Sequence, residues 1–552
     1  MFCWLLSSGF WLLPVVRYPL VRRVFPSLLL LIAISSGTLF FRLGSLPLSG
    51  ADEPRYARIA EEMHDRGTWV TPSLEGKPWL EKPPLYYWIT GPFYSVFKTN
   101  ETAARVGPAL CALITALAVF WLGSELWSTG AGLIGASILL TSLGFAGYGR
   151  SASTDMPFTC CFTLSMAILL HGGLLRGAAR REAPLGSVLL AYIFLGLAVL
   201  GKGPVAIVLA GGIVLCVWFL DERGGIFRTW RVLPGLVLTA IVSIPWFWLV
   251  FRQNGFGFIS TFFINQNIAR YVTGIHHHSQ PALYYLPVLL ALLFPWSGWL
   301  ALLVSKSPLQ AVRRWRHWDL PMVFLACWFL VPVIFFSLSD SKLAGYILPS
   351  LPPLALILGI YISRAQQSRL RFAAGLNLLV SAAMAVAAPL LFEKEYGSWK
   401  IGLLISVVTL VPAFFSFAFN LKGKCNGAFG VTVLQGLILI VVVAQFAFPV
   451  MGAYYSTREI AHLALQLRHP GEPMITYQFF HHSLHYYTGY QITGQLDDTN
   501  SLVQFARLHP NFLVVTKAEA VKDLARIKEL SASPVGEQGD FRLLRISNTE
   551  GN

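Results

Sequence analysis

Along most of the chain the apolar residues fall in unbroken runs, neither alternating nor confined to one helical stripe. These runs extend from Val24–Phe41 to about Phe448, with short polar stretches between them. A helix that crosses a bilayer needs about 20 mostly apolar residues, and roughly thirteen runs reach that length. The pattern therefore predicts a polytopic α-helical membrane protein with about thirteen transmembrane helices over residues 1–450. Two stretches break the pattern. In the loop spanning 44–105, Tyr56, Ile59, Ala60 and Met63 recur at helical spacing, with Arg55, Arg58, Glu62 and Asp65 on the rest of the wheel. This predicts an amphipathic helix lying along the membrane interface. A second short helix is expected around Pro84 to Phe97, where aromatics are dense. The other break is 451–552, whose composition is that of a soluble α/β domain. There, Ser456 to Glu459 fits a capping box, Met474–Tyr477 and Phe512–Thr516 read as strands, and Ala518–Leu530 reads as a charged helix. Met1 to Val16 is apolar but precedes the first arginines, the reverse of a signal peptide, and is too short to span. It is expected to be a disordered or interfacial start, or to follow from a misassigned initiation site.

Composition agrees with the pattern: 55% of the 552 residues are hydrophobic, 12% are charged, and the mean hydropathy is +0.59. Soluble domains carry about a quarter charged residues. The net charge of +15 would suit a nucleic-acid binder, but its placement points elsewhere. Arg17, Arg22 and Arg23 precede the first run, and later basic clusters (Arg176, Arg180 and Arg181; Arg223, Arg228 and Arg231; Arg313, Arg314 and Arg316; Arg364, Arg369 and Arg371; Lys422 and Lys424) fall in alternate loops. Cytoplasmic loops carry such an excess, so the N-terminus is expected to be cytoplasmic. The loops Asp52 to Arg105, Gly149 to Asp155, Gly201 to Pro204, Arg252 to Ala282 and Ser339 to Gly345 should then share the opposite face with the C-terminal domain. No nucleic-acid partner is expected. The seven cysteines show neither CxxC nor Cys/His spacing, so neither a disulfide framework nor a zinc site is indicated.

The unusual sequences lie on that far face. Gly50-Ala-Asp-Glu-Pro-Arg-Tyr-Ala57 is followed by Leu80-Glu-Lys-Pro-Pro-Leu-Tyr-Tyr-Trp88. Taken singly, Asp52 or Glu53 is a helix N-cap ahead of Pro54, and Lys82 is an interfacial lysine reaching for lipid phosphate. Jointly with Thr154-Asp-Met-Pro157, Gly201-Lys-Gly203, Asn267-Ile-Ala-Arg-Tyr271 and Ser341-Lys-Leu-Ala-Gly-Tyr-Ile-Leu-Pro349, they form a pattern covering the whole membrane region in order. This pattern resembles the aminoarabinose transferases of Gram-negative bacteria, which attach 4-amino-4-deoxy-L-arabinose to lipid A, within the protein mannosyltransferase-like GT-C glycosyltransferases. The chain departs from it at Pro84 and at Ala344-Gly345.

The resemblance implies a GT-C membrane core, juxtamembrane helices in the first periplasmic loop, a periplasmic α/β domain, and a monomer in the bacterial inner membrane. It implies transfer of the aminosugar from undecaprenyl phosphate to a lipid A phosphate, a lipopolysaccharide modification that confers polymyxin resistance. A polyprenyl-phosphate leaving group is an anion that needs positive charge and no proton. Lys82, Arg270, Lys202 and Lys342, with Tyr346, Arg55 and Tyr56, are therefore expected around the donor phosphate and lipid. Asp52 and Asp155, with Lys82, are the catalytic candidates, and Glu53, Glu81, Arg58 and Tyr86 are expected to contact sugar or acceptor. Asp52 would act as base toward a hydroxyl acceptor, whereas an already ionised phosphate acceptor makes that role dispensable. The expected reaction is an inverting single displacement. No cofactor is required; a divalent metal would be held by Glu81 with His276, His277 and His278. His481, His482 and His485 are expected to be ordinary surface residues. Trp79, Tyr86, Tyr87, Trp88 and Tyr346 suit either a lipid groove or an interfacial aromatic belt. The rival readings are a protein O-mannosyltransferase with a Ser/Thr acceptor and a lipid-linked sugar transporter. The transporter should show paired motifs in two halves, and the sequence has none.

Overall fold

The computed structural model describes residues 18–174, 185–220, 231–269, 271, 280–304, 319–527 and 529–548. Among them, eight helices are long and apolar enough to cross a membrane, or ten if each of two bent pairs is one span. Val24–Phe40 and Val205–Leu220 are shorter apolar helices. Counted this way the runs fall below thirteen, because two are bent pairs and others, such as Asp155–Leu169, form helices shorter than a straight span. Thr129–Thr141 and Leu143–Gly149 meet at 68°, and Ala282–Leu293 and Ser297–Leu303 at 115°. The second break holds Pro295, which has no N–H to continue a helical ladder.

Two helices form the middle of the bundle: 72% of the apolar window in Glu101–Leu126 is buried, and 83% in Ala344–Arg364. Small residues permit the close approach at this centre. A Cβ on Gly132 would stand 2.4 Å from the carbonyl oxygen of Phe120, and one on Gly359 would stand 2.5 Å from that of Ala131. Packing through small residues is how helices associate where lipid supplies no hydrophobic drive. By contrast, Gln367–Tyr396 and Trp399–Leu421 bury 22% of their windows and turn Phe372, Leu379, Val386 and Phe414 outward. So large an apolar surface fits a lipid environment.

The first loop folds into the helices Asp52–Asp65 and Leu85–Phe97, joined through a hairpin of β1 (Ser73–Leu74) and β2 (Lys77–Pro78). The amphipathic pattern forms a helix as expected, but its apolar stripe packs on protein. Tyr56, Ile59, Ala60 and Met63 are buried in a cluster with Tyr86, Tyr87 and Tyr94, so the apolar stripe faces protein. The Tyr94 hydroxyl donates to the Ala57 carbonyl at 2.9 Å, fixing the two helices together.

The C-terminal domain has a five-stranded sheet in the order β4-β3-β5-β7-β6, made of β3 (Met474–Tyr477), β4 (Gly494–Leu496), β5 (Asn511–Lys517), β6 (Leu530–Gln538) and β7 (Phe541–Asn548). β3 is parallel to β4 and β5, whereas β7 pairs antiparallel with β5 and β6. Helix Arg458–Leu467 packs on one face, and Thr499–Leu508 with Ala518–Leu524 on the other. Two local expectations fail here. No capping box forms at Ser456, because tertiary partners take the orphan amides: Thr457 N–H donates to Ser483 Oγ at 3.1 Å and Ile460 N–H to Gln538 Oε1 at 2.7 Å. The expected helix Ala518–Leu530 ends at Leu524, and Leu530 opens β6.

The domain is fastened to the first loop by polar contacts. Tyr487 Oη donates to Glu101 at 2.9 Å and accepts the Leu48 N–H at 2.7 Å, Arg458 pairs with Glu101 at 3.1 Å, and the Arg58 guanidinium lies 4.6 Å from the Tyr490 ring centre. Loop one, the 201–205 turn and the 339–346 loop contribute to the wall of one cavity.

Candidate active site

Helix Leu185–Lys202 ends where Gly203 adopts φ +79°, turning the chain back into Val205–Leu220. That conformation suits glycine, and a Cβ there would also meet the Phe262 ring at 2.8 Å. The turn projects Lys202 toward Asp155, the first residue of helix Asp155–Leu169, and the two side chains form an ion pair. Lys202 Nζ is also 5.0 Å from the Tyr346 ring centre. Lys202 and Tyr346 line a cavity of about 450 Å³ together with Glu81, Lys82, Pro83 and Ser341. The rest of its wall is apolar at Val205, Val208, Phe262, Phe263, Phe335 and Phe336 and polar at Gln266, Asn267, Tyr271 and Ser339. One cavity therefore combines two lysines with a cluster of phenylalanines.

Asp52 opens the first helix of loop one and pairs with Arg55; its side chain is 58% exposed. Arg55 lies 5.2 Å from the Trp79 ring centre. Tyr56 is buried, and that burial pushes its hydroxyl well up, reinforced by the charges of Asp52 and Asp155. The Tyr56 hydroxyl thus feels the charge of both aspartates, although they are far apart in sequence. A second cavity of about 310 Å³ touches Asp52 and is bounded by Ser49, Gly50, Arg150, Ser151 and Phe448. Asp52 is thus reachable from a space that the first cavity's wall does not include.

Several expected site residues serve the scaffold instead. Both Glu53 oxygens are occupied: Arg105 donates from Nε at 3.0 Å and from Nη2 at 2.7 Å, and the Ala152 and Ser49 amides donate at 2.8 and 3.1 Å. Burial pushes the Glu53 carboxyl up, but the Arg105 charge and these donors prevail and hold it below its usual range. Arg105 also donates to the carbonyls of Leu43, Leu46 and Pro47, so the pair joins loop one to the central helix. Tyr86 is fully buried and donates to the Ala104 carbonyl at 2.9 Å, which removes it from sugar or acceptor contact. Arg58 binds Glu61 at 2.8 Å and Glu62 at 3.0 Å while packing on Tyr490. The Lys342 ammonium is engaged by the backbone, its Nζ donating to the carbonyls of Ser339 at 2.5 Å and Gln280 at 2.9 Å.

Arg270, His276, His277 and His278 lie outside the described residues, so of the metal set only Glu81 is placed, in the cavity wall. The tail-domain histidines are not ordinary surface residues. His485 Nδ1 is 3.9 Å from Glu75 of loop one. His482 has its pKa pushed down to about 4 by burial and by the charge of Arg55. No local motif in the tail could have revealed this, since the contact is made by domain docking. Arg105 and Arg150 were equally hidden. Arg150 is buried and donates to the carbonyls of Thr38, Leu39, Phe41 and Arg42, tying off the end of the first span.

Comparison with known proteins bears on the same regions. Residues 48–263 match the family model described as dolichyl-phosphate-mannose-protein mannosyltransferase. The chain is 32% identical over 390 residues to the undecaprenyl phosphate-alpha-4-amino-4-deoxy-L-arabinose arabinosyl transferase of Erwinia tasmaniensis, covering 69% of this chain and 66% of that protein. It is 34% identical over 314 residues to the protein of the same name from Pseudomonas aeruginosa, covering 56% of this chain and 54% of that one. The match thus spans less than two thirds of the length of either relative. The crystal structure of ArnT from Cupriavidus metallidurans bound to undecaprenyl phosphate superposes with a TM-score of 0.75 at 22% identity, covering 95% of this chain and 98% of that one. Its apo form gives a TM-score of 0.77. The two chains share their fold, a GT-C membrane bundle with a β-containing C-terminal domain.

Proposed function

We infer that the chain belongs to the undecaprenyl-phosphate aminoarabinose transferases of the GT-C class, and we propose that it moves 4-amino-4-deoxy-L-arabinose from undecaprenyl phosphate to a lipid A phosphate. The observation that carries this reading is the cavity whose wall combines Lys82 and Lys202 with four phenylalanines. A polyprenyl chain would lie against the phenylalanines, and its phosphate would meet the lysines. As the bond between the sugar's anomeric carbon and the phosphate oxygen breaks, charge grows on that phosphate. Fixed cations in a water-poor site stabilise such charge best. Asp155 holds Lys202 in place through their ion pair. An acceptor phosphate oxygen, already ionised near neutral pH, attacks the opposite face of the anomeric carbon and inverts it. Asp52, with Arg55 beside it, then orients the sugar amine or the acceptor and need not take a proton. The alternation of basic loops supports a periplasmic site, where a lipid-linked donor replaces nucleotide sugars.

The test is reconstitution. Purified protein in lipid vesicles receives undecaprenyl-phosphate aminoarabinose and lipid A, and mass spectrometry follows the acceptor. A lipid A species heavier by one aminopentosyl unit is expected. Transfer to a serine- or threonine-bearing peptide would move the chain to the mannosyltransferase branch. Donor bound or moved intact, with no transfer to any acceptor, would refute the transferase reading.

A further inference from the structure

We propose that the Ser341 hydroxyl is a positioning donor for the phosphate of the lipid-linked substrate, a role that rests on the reading above. Within the Ser341-to-Tyr346 segment the lysine is the obvious candidate for phosphate, but its ammonium is committed to two backbone carbonyls. The serine is in the opposite condition. Ser341 is 1% exposed, forms part of the cavity wall shared with Lys82, Lys202 and Tyr346, and its Oγ is buried without a hydrogen-bond partner among the described residues. No other described residue of that cavity wall has a buried, unpartnered side-chain polar atom.

An unmade buried hydrogen bond is costly, and native structures rarely leave one without a use. Alanine would fill nearly the same space without the unsatisfied oxygen. The surrounding backbone is braced as a ligand-holding loop needs to be. Ser339 Oγ donates to the Ser341 carbonyl at 3.1 Å, the Asp340 amide donates to the Tyr271 carbonyl at 3.1 Å, and Lys342 closes the turn onto Ser339. Ser341 is thereby held with a donor to offer, beside cations suited to a phosphate. An ionised phosphate oxygen accepts such a bond more strongly than a neutral group does. A polyprenol offers no anionic oxygen at that place, so the hydroxyl should discriminate between phosphorylated and unphosphorylated lipid.

The experiment measures binding of undecaprenyl phosphate and of undecaprenol to the full-length protein in nanodiscs, for the natural chain, S341A and S341T, alongside melting without ligand. S341A is expected to bind the phosphate at least ~10-fold more weakly, the scale of one hydrogen bond to a charged group. Its affinity for undecaprenol should be unchanged, and its ligand-free melting temperature equal or higher because an unsatisfied oxygen has gone. S341T, which keeps the hydroxyl, should restore phosphate affinity. Unchanged phosphate affinity in S341A, or equal losses for both lipids, would overturn the assignment and leave the donor reading intact. A lower ligand-free melting temperature for S341A would show that the hydroxyl serves packing, which also overturns it. If the natural chain itself fails to prefer the phosphate over the alcohol, the donor reading falls and this role falls with it.

Discussion

Replacing Glu53 by glutamine removes one negative charge and almost no volume from the junction between loop one and the central helix. Four donors converge on this carboxylate: two Arg105 nitrogens at 2.7 and 3.0 Å, and the Ala152 and Ser49 amides at 2.8 and 3.1 Å. The glutamine NH₂ would have to point at donors, leaving at least one unpaired and the buried Arg105 charge unbalanced. Two unit charges about 4 Å apart attract by ~4 kcal/mol at an effective dielectric of ~20, and breaking a buried pair from one side costs about 3–5 kcal/mol. E53Q should therefore lower the melting temperature in nanodiscs by several degrees at neutral pH. Glu53 is held below its ordinary value of 4.5, so the pair's contribution is full above that value. It is lost as pH falls through the depressed folded value, and the gap between E53Q and the natural chain should close on acidification. Adding R105Q should cost less than the sum of the single changes, since the two groups are coupled. A melting temperature for E53Q within one degree of the natural chain at neutral pH, or strict additivity in the double variant, would refute this account.

G203A should be strained at φ +79° and press on the Phe262 ring, costing about 1 kcal/mol or more and displacing Lys202; weaker undecaprenyl phosphate binding in a titration would check it. D52N should lower transfer to lipid A phosphate by less than ~10-fold, because loss of a needed general base costs about 10²–10⁴-fold; a loss in that larger range in a kcat measurement would restore Asp52 as the base. R58A removes the contact with Tyr490 and should loosen the C-terminal domain by about 1 kcal/mol, seen as faster protease cleavage within the tail domain.

The sequence determined whatever depends on local period and on composition. Twenty-residue apolar runs can be satisfied in a bilayer only as helices, so the membrane class was legible, as were the loop-one helices and the strands near Met474 and Phe512. The motifs also marked Asp52, Lys82, Asp155, Lys202 and Tyr346, and three of these, Lys82, Lys202 and Tyr346, line one cavity, with Asp155 paired to Lys202. What a side chain does with its charge was decided elsewhere. Glu53 stands next to Asp52, yet one carboxylate is walled in by Arg105 and the other is 58% exposed. Lys342 and Lys202 have the same formal charge, but one is consumed by carbonyls and the other faces the cavity. Nor could the tail sequence show that His485 would face Glu75, or the amphipathic pattern show whether Ile59 and Met63 would face lipid or three tyrosines. An apolar stripe states only that water is to be avoided, and a charge states only that a partner is needed. Which surface or partner satisfies the demand is chosen by segments that are remote in sequence and meet only when the chain has folded.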